Sequence, residues 1–574
     1  MRKTILAISA SLIISISLYS QNINIPDLNF LNALINSGVD TNGNLEIDSL
    51  EASNISLLNL RKENISDLTG IEAFINLDSL DCSYNDLTSI DLSKNDHLKY
   101  LDVSINKLNS IDISNCTNLL SFIAIGNELT SLDVSNNIKL EEFHCSLNKL
   151  EDINITNNLA LKSFGCSHNS IENLDLSQNL ALEILIISNN RLQEVDITNH
   201  IELVTLNCHF NSISTLDVSN NKKLESLMCC CNNISDLNLR QNSELSFVDC
   251  SYNPLSSLDV SNNPKLRELN CTSSQLTSLD LSNNQDLLFL FCEKNSIQFL
   301  DLSNNLKLVQ LLCSENQIDE LNVFHLKQLE VLWCGDNFIT HLDISRNKLL
   351  DNHKFSMGLK INNLPQLKEL CVNELPFPPE GFRMDTTGSP NIQFTMNCTP
   401  ALIASDTLYQ PDSIELLCSQ DGMVYLVPEN TMKDFAEISS KQIYEFPVSA
   451  GIDSQHNMNN ISGGTYWLYA VGNSQIISNP VPITVMSLKG LKYNEILQGF
   501  YPNPAKNYLE IETYFSASFN IEVFNINGIL VKSDISYGPK VKLDISKLSS
   551  GIYLVKMKDK KSIKYFRFIK VHAF

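Results

Sequence analysis

Sixteen cysteines in 574 residues are the first chemistry this sequence offers, as thiolate nucleophiles, soft-metal ligands or disulfide partners. Their spacing narrows the choice. Stepping by 21 from Cys82 meets Val103, Ala124, Cys145, Cys166, Ile187, Cys208, Cys229, Cys250, Cys271, Cys292, Cys313 and Cys334, so ten of thirteen steps are Cys. A cysteine that alternates with Ala, Val and Ile occupies a buried apolar position, which predicts packed thiols. Parallel side chains on successive turns also present poor vectors for a disulfide. A redox or metal site at the consecutive Cys229, Cys230 and Cys231 is the alternative, although only Cys229 is in register. Cys371, Cys398 and Cys418 stand apart, and the sequence does not say which of them pair.

Oxygen ligands cluster once near the start. Asp40, Asn42, Asn44, Glu46, Asp48 and Glu51 fit positions 1, 3, 5, 7, 9 and 12 of a calcium loop, with Ile47 at the apolar eighth position. The sixth position is Leu45, where the sharp turn wants Gly. A plain capping turn is the competing reading, and no cofactor other than calcium is implied. A second 21-residue ladder runs Asp91, Asp112, Asp133, Asn154, Asp175, Asp196, Asp217, Asn238, Asp259, Asp280, Asp301, Asn322 and Asp343. Its like charges on neighbouring turns would repel, which either divalent cations or bonds to adjacent backbone and hydroxyl groups would relieve. His144 and His168 fall on adjacent repeats, where solvent-exposed polar roles compete with a surface zinc site. The sequence contains no G-x-S-x-G, H-E-x-x-H, phosphate loop or dinucleotide loop, so no catalytic residue is assigned and the chain reads as a non-enzyme.

The element that must position these residues is a repeat. One unit reads L-x-x-L-x-C-S-x-N-x-L-x-x-L-D-V-S-x-N-x-x, and an Asn follows three residues after each ladder step from Asn85 to Asn337, with Ser274 out of step. A single turn of this length has no partner for its leucines, but stacked turns bury them as columns. The fold class is therefore mainly β, a parallel-stranded solenoid of 21-residue rungs. Each half of the unit is expected to supply a short strand. The corner Asn is expected to bond backbone groups of its own turn and of the next.

Residues 1–20 carry Arg2, Lys3 and an apolar run from Ile5 to Leu18, which reads as a secretory signal. Nothing later approaches a membrane span. Residues 21–59 form an N-terminal cap and residues 60–398 the solenoid with its closing segment, broken by Pro376, Pro378 and Pro379. Alternating runs within 399–487, such as Ser413–Leu417, Met423–Val427 and Tyr466–Val471, predict a small immunoglobulin-like β-sandwich. Residues 492–574 predict a second compact β-sandwich. That last segment holds thirteen Lys and Arg against seven Asp and Glu, whereas the whole chain is −24, so nucleic acid is excluded as a partner of the body.

The outward strand positions step through Ser79, Tyr100, Ser121, Glu142, Ser163, Ile184, Thr205 and Ser226, then Phe247, Glu268, Phe289, Gln310 and Val331. Phe291, Leu312 and Trp333 join them from the position just before the cysteine. Phe247, Phe289, Phe291, Leu312, Val331 and Trp333 are therefore the candidate ligand-binding residues, because burial of an apolar and aromatic face gains most. Coverage by the following β-domain is the alternative use of that face.

Stretches such as Ile71–Cys82 (IEAFINLDSLDC) and Leu132–Cys145 (LDVSNNIKLEEFHC) resemble leucine-rich repeats of the internalin type, specifically the cysteine-ladder, internalin J-like kind, over about 300 residues. The terminal segment has Pro502-Asn503-Pro504, the turn at Gly528, and Gly551-Ile-Tyr553-Leu-Val. It resembles the type A C-terminal sorting domain of the Bacteroidetes type IX secretion system. That resemblance implies export by the type IX machinery, with the body then attached to surface lipopolysaccharide or released. Together the two resemblances imply a secreted or cell-surface recognition and adhesion protein with a protein or glycan ligand. A structural cell-surface or matrix component without a specific ligand is the alternative.

Overall fold

The computed structural model describes residues 21–350 and 357–396, and beyond them strands and short segments between 402 and 570. The signal segment 1–20 and the motif residues Pro502, Asn503, Pro504 and Gly528 lie outside the described residues. The chain divides into two compact units, Met1–Gln275 and Leu276–Phe574.

The first unit opens with a helix, Leu28–Asn36, that buries Phe30, Ala33 and Leu34. Asp27 starts it by accepting the amides of Asn29 and Phe30 on one carboxylate oxygen. The other oxygen accepts the amides of Ser66 and Asp67 and the Ser66 hydroxyl. One side chain thus caps the helix and ties it to the first turn of the solenoid. A second short helix, Ser49–Ser53, follows.

Eleven parallel strands come next among the described residues, each of three residues, from Leu57–Asn59 and Ser79–Asp81 to Glu268–Asn270. Register is unshifted, as in Ser79↔Tyr100, Leu80↔Leu101 and Asp81↔Asp102. The middle residue of each strand points inward and is buried, including Leu80, Leu101, Phe122, Phe143 and Phe164. The Phe122 and Phe143 rings stack with centroids 5.7 Å apart. The ladder cysteines lie two residues further on and are fully buried, with Cys82, Cys145, Cys166, Cys208, Cys229 and Cys250 as free thiols. Burial pushes the thiols of Cys166 and Cys208 up to about 12, so they stay protonated and apolar in character.

The chain then turns a corner through a left-handed residue. Tyr84, Ile105, Leu147, His168, Asn189, Phe210, Cys231 and Tyr252 all have φ between 50° and 58°. Gly126 takes the same place at φ 67°, and a Cβ there would meet Ile105 Cδ1 at 2.5 Å. A non-glycine residue in this conformation costs about 1 kcal/mol or more, and the corner asparagine beside it supplies the compensation. Asn106 Nδ2 donates to the carbonyls of Cys82 and Val103, both at 3.0 Å, and Oδ1 accepts the Leu87 amide at 3.0 Å. Asn85, Asn127, Asn148 and Asn169 repeat the pattern. The bonds reach back to the preceding turn, not forward to the next as expected.

The second half of the repeat departs from expectation more clearly. It forms no continuous strand in this unit; the described ladder there is one isolated bridge, Asn238↔Asp259. The Asp91 carboxylate there accepts the Ser93 amide, and Asp112, Asp133, Asp175, Asp196 and Asp217 do the same two residues on. Four residues beyond this ladder runs a second column, in which Asn137 Nδ2 donates to the Ile113 and Cys116 carbonyls, and Asn158, Asn179, Asn221 and Asn242 act alike. Cys116 and His200 stand in this buried column in place of Asn.

In the second unit Phe289–Phe291, Gln310–Leu312, Val331–Trp333, Leu359–Lys360 and Met384–Asp385 pair in parallel in that order. Here the second half-repeat does form strands, His341–Asp343, Glu369–Cys371 and Gln393–Thr395. Cys371 is disulfide-bonded. Further on, Ser413–Cys418, Gly422–Pro428 and Gly464–Gly472 extend the predicted runs by one to three residues. Tyr425, Val427, Tyr469 and Val471 form a buried core with Ile438. Leu530–Ser536, Phe519–Asn525, Gly551–Lys558 and Ile563–Lys570 make a four-stranded antiparallel sheet near the C-terminus, which contains Gly551 and Tyr553.

His200 gives the column a pH dependence. Its Nε2 lies 3.2 Å from the Leu176 carbonyl, and burial holds its pKa below 6.5. As pH falls through 6.5 the unfolded imidazole gains a proton that the folded one resists, so stability is full above that value and lost below it. Restoring the column residue with His200→Asn is expected to reduce the drop in melting temperature between about pH 7.5 and pH 5.5. An undiminished drop in a thermal melt would contradict this account.

Candidate functional site

On an outward-facing strand surface each side chain is flanked by its counterparts one turn away, so even apolar residues there are half-covered. Phe247, in the first unit, is half-buried in this way. In the second unit Phe289, Phe291 and Leu312 are likewise half-buried on successive strands. Trp333 extends this strip, its indole Nε1 donating to the Met357 carbonyl at 2.8 Å. The Lys360 ammonium sits 3.3 Å from the Trp333 ring centroid, where the π-face attracts a cation. Burial holds the Glu293 carboxyl above its usual range even with Lys360 nearby.

Val331 does not join this surface. It is 1% exposed. The step from Leu332 to its partner Leu359 is 27 residues where the repeat has 21.

The first unit holds a polar group on the same kind of face. The Ser121 hydroxyl donates to Glu142 at 2.7 Å, Glu142 lies 3.5 Å from His144 Nε2, and the Ser163 hydroxyl lies 3.1 Å from that same nitrogen. A hydrolytic relay needs the carboxylate on one imidazole nitrogen and the hydroxyl on the other. Here both compete for Nε2, so the arrangement is a hydrogen-bonded surface cluster without a relay. Gly165 lies over the other nitrogen; a Cβ there would approach His144 Nδ1 to 2.4 Å.

Several of the residues read as a calcium loop accept backbone amides. Asp40 accepts the amides of Gly43, Asn44 and Leu45, Asn42 accepts that of Asn44, and Asn44 accepts that of Glu46. Glu51, 5% exposed, accepts the Thr41 and Asn42 amides on one oxygen and the Asp48 amide on the other, while Asp48 caps the helix in return. Asp48 and Glu51 together form a reciprocal capping box. Among the described residues no three His, Cys, Asp or Glu side chains gather as a metal site. The Asp ladder likewise bonds to nearby Ser and Thr: backbone and hydroxyl bonds from Ser93 hold Asp91 below the usual carboxylate range, and those from Ser114 do so for Asp112.

Two exposed rows escaped the sequence reading. The left-handed corner places Tyr84, Ile105, Leu147, Phe210 and Tyr252 outward, and the turn after the buried Asn column exposes Ile138, Leu159, Leu180 and Ile201 on successive repeats. The 21-residue period was the available signal, but polar occupants at other steps obscure both rows.

Residues 499–571 match the family described as Secretion system C-terminal sorting domain. This segment is a sorting domain. The solenoid that precedes the sorting domain is similar in fold to the functional domain of InlJ from Listeria monocytogenes, which includes a cysteine ladder, with TM-score 0.57 and 24% identity over 81% of this chain and 99% of that one. Two other similar structures are an internalin (inlF) from Listeria monocytogenes str. 4b F2365, with TM-score 0.40 and 20% identity over 64% and 95% of the two chains, and YopM from Yersinia pestis, with 0.41 and 22% over 64% and 98%. No curated protein matches the sequence. Among the described residues no helix is long and apolar enough to cross a membrane.

The capping role of Glu51 has a direct consequence. Glu51→Ala is expected to destabilise the N-terminal cap by about 1–3 kcal/mol, since three part-buried amides lose their acceptor. The loss should be equal in calcium and in EDTA. A wild-type melting temperature that rises with added calcium would show that the loop binds the ion.

Proposed function

We propose that this chain is a secreted or surface-displayed leucine-rich-repeat protein that binds a protein or glycan through its solenoid and so acts in recognition or adhesion. Export by a type IX secretion system follows from the family of the sorting domain. The observation that carries the binding role is the aromatic strip Phe289, Phe291 and Trp333, with Leu312 between them and Lys360 over the indole. Such a strip combines apolar area with planar rings and a cation, a composition suited either to a protein hot spot or to stacking against sugar rings. The cluster at Glu142 and His144 supplies no relay, so nothing in the site calls for turnover.

Substituting Phe289, Phe291 and Trp333 by Ser tests the recognition face. Adhesion of cells displaying the variant is expected to fall at least about tenfold, since loss of one hot spot alone costs about 2 kcal/mol. Circular dichroism checks that the fold is kept. Unchanged adhesion by a folded variant would remove this face and favour a purely structural surface component. For export, deleting Tyr501 to Phe574 is expected to retain the protein in the periplasm, and normal surface display after that deletion would overturn the route.

A further inference from the structure

The three consecutive cysteines do not share one fate. Cys229 is fully buried in the ladder, whereas Cys230 and Cys231 are free thiols that are only partly buried; the other free thiols described are all buried. Alternation along a strand would send the side chains of neighbouring residues to opposite faces. Cys231 breaks that alternation, because it occupies the left-handed corner position with φ 56°. Both neighbouring thiols therefore keep part of their surface open to solvent.

From this geometry we infer that Cys230 and Cys231 are the redox-modification site of the solenoid, closing to a vicinal disulfide by exchange with a small-molecule or protein disulfide. The reaction balances without any other reagent. One of the two sulfurs, as thiolate, attacks the incoming R–S–S–R, forming a mixed disulfide and releasing R–S⁻. The second cysteine then gives up its proton and attacks the mixed disulfide, joining the two sulfurs and releasing a second R–S⁻. Two protein thiols are oxidised, and one external disulfide is reduced to two thiols.

Two features of the surroundings shape the reaction. Consecutive Cα atoms are about 3.8 Å apart, shorter than the span a relaxed disulfide prefers, so the closed ring is strained and readily reduced again. Burial and the nearby Asp249 push both thiols up, which slows the first attack at neutral pH and speeds it as pH rises. Cys231 also lies in the outward row between Phe210 and Tyr252 of the neighbouring turns, which are 55% and 53% exposed. Ring closure therefore fixes the corner backbone between two exposed aromatic side chains, and reduction releases it.

The test is oxidation of the folded full chain with glutathione disulfide, followed by alkylation, mass analysis and peptide mapping. The expected result is one intramolecular link between Cys230 and Cys231, with the ladder peptides containing Cys208, Cys229 and Cys250 alkylated only after unfolding. The single variants Cys230→Ser and Cys231→Ser should each carry one mixed disulfide with glutathione and no internal link. Phenylarsine oxide, which needs two sulfurs within reach, should bind this pair in the reduced wild type and in neither variant. Failure of the folded chain to form the link, or oxidation of Cys229 as fast as of its neighbours, would overturn the proposal.

Discussion

Everything in the solenoid depends on the corner asparagine. Each turn must leave its strand abruptly, through a left-handed residue that few side chains favour, and it does so inside a stack where backbone groups have no access to water. A side-chain amide has one acceptor and two donors, the set needed to close that corner. Asn106 uses them on Leu87, Cys82 and Val103, thereby joining two turns. Because the bonded groups lie at fixed offsets, the period cannot drift by a residue. Columns of leucine, phenylalanine and cysteine follow from that fixed period.

Surface charge adds a weaker check on register. Lys99 pairs with Asp78, Lys107 with Asp86, Lys149 with Glu128 and Lys162 with Glu141, each one turn apart, at 2.6 to 3.0 Å. Exposed pairs of this kind contribute little to stability. Their value lies in alternation along a column, since in Glu202, Lys223, Glu244 and Lys265 a slip of one turn sets like charges together.

The ladders were legible in the sequence because their residues do one job at every turn. Cys82, Asn85 and Asp91 repeat because a small buried volume, a three-way amide and a local carboxylate turn are needed each time. The left-handed row was not legible, since the corner dictates its backbone and leaves the side chain free; Tyr84, Ile105 and His168 share no chemistry. Cys116 and His200 were obscure for a related reason: each fills a column whose usual residue is Asn. At the candidate site, the aromatic strip could be placed by strand alternation, but Val331, at the same outward step, is buried. At Glu51 spacing left a calcium loop and a capping turn both open, because it does not say whether a carboxylate faces an ion or an amide.

The central claim is that the corner asparagine holds two turns together, and hydrogen exchange at the Leu87 amide in Asn106→Ala tests it most directly. The account predicts that Leu87 loses its protection together with the amides of the adjoining turns, and that stability falls by about 2–3 kcal/mol. Wild-type protection at Leu87 in the folded variant would contradict it.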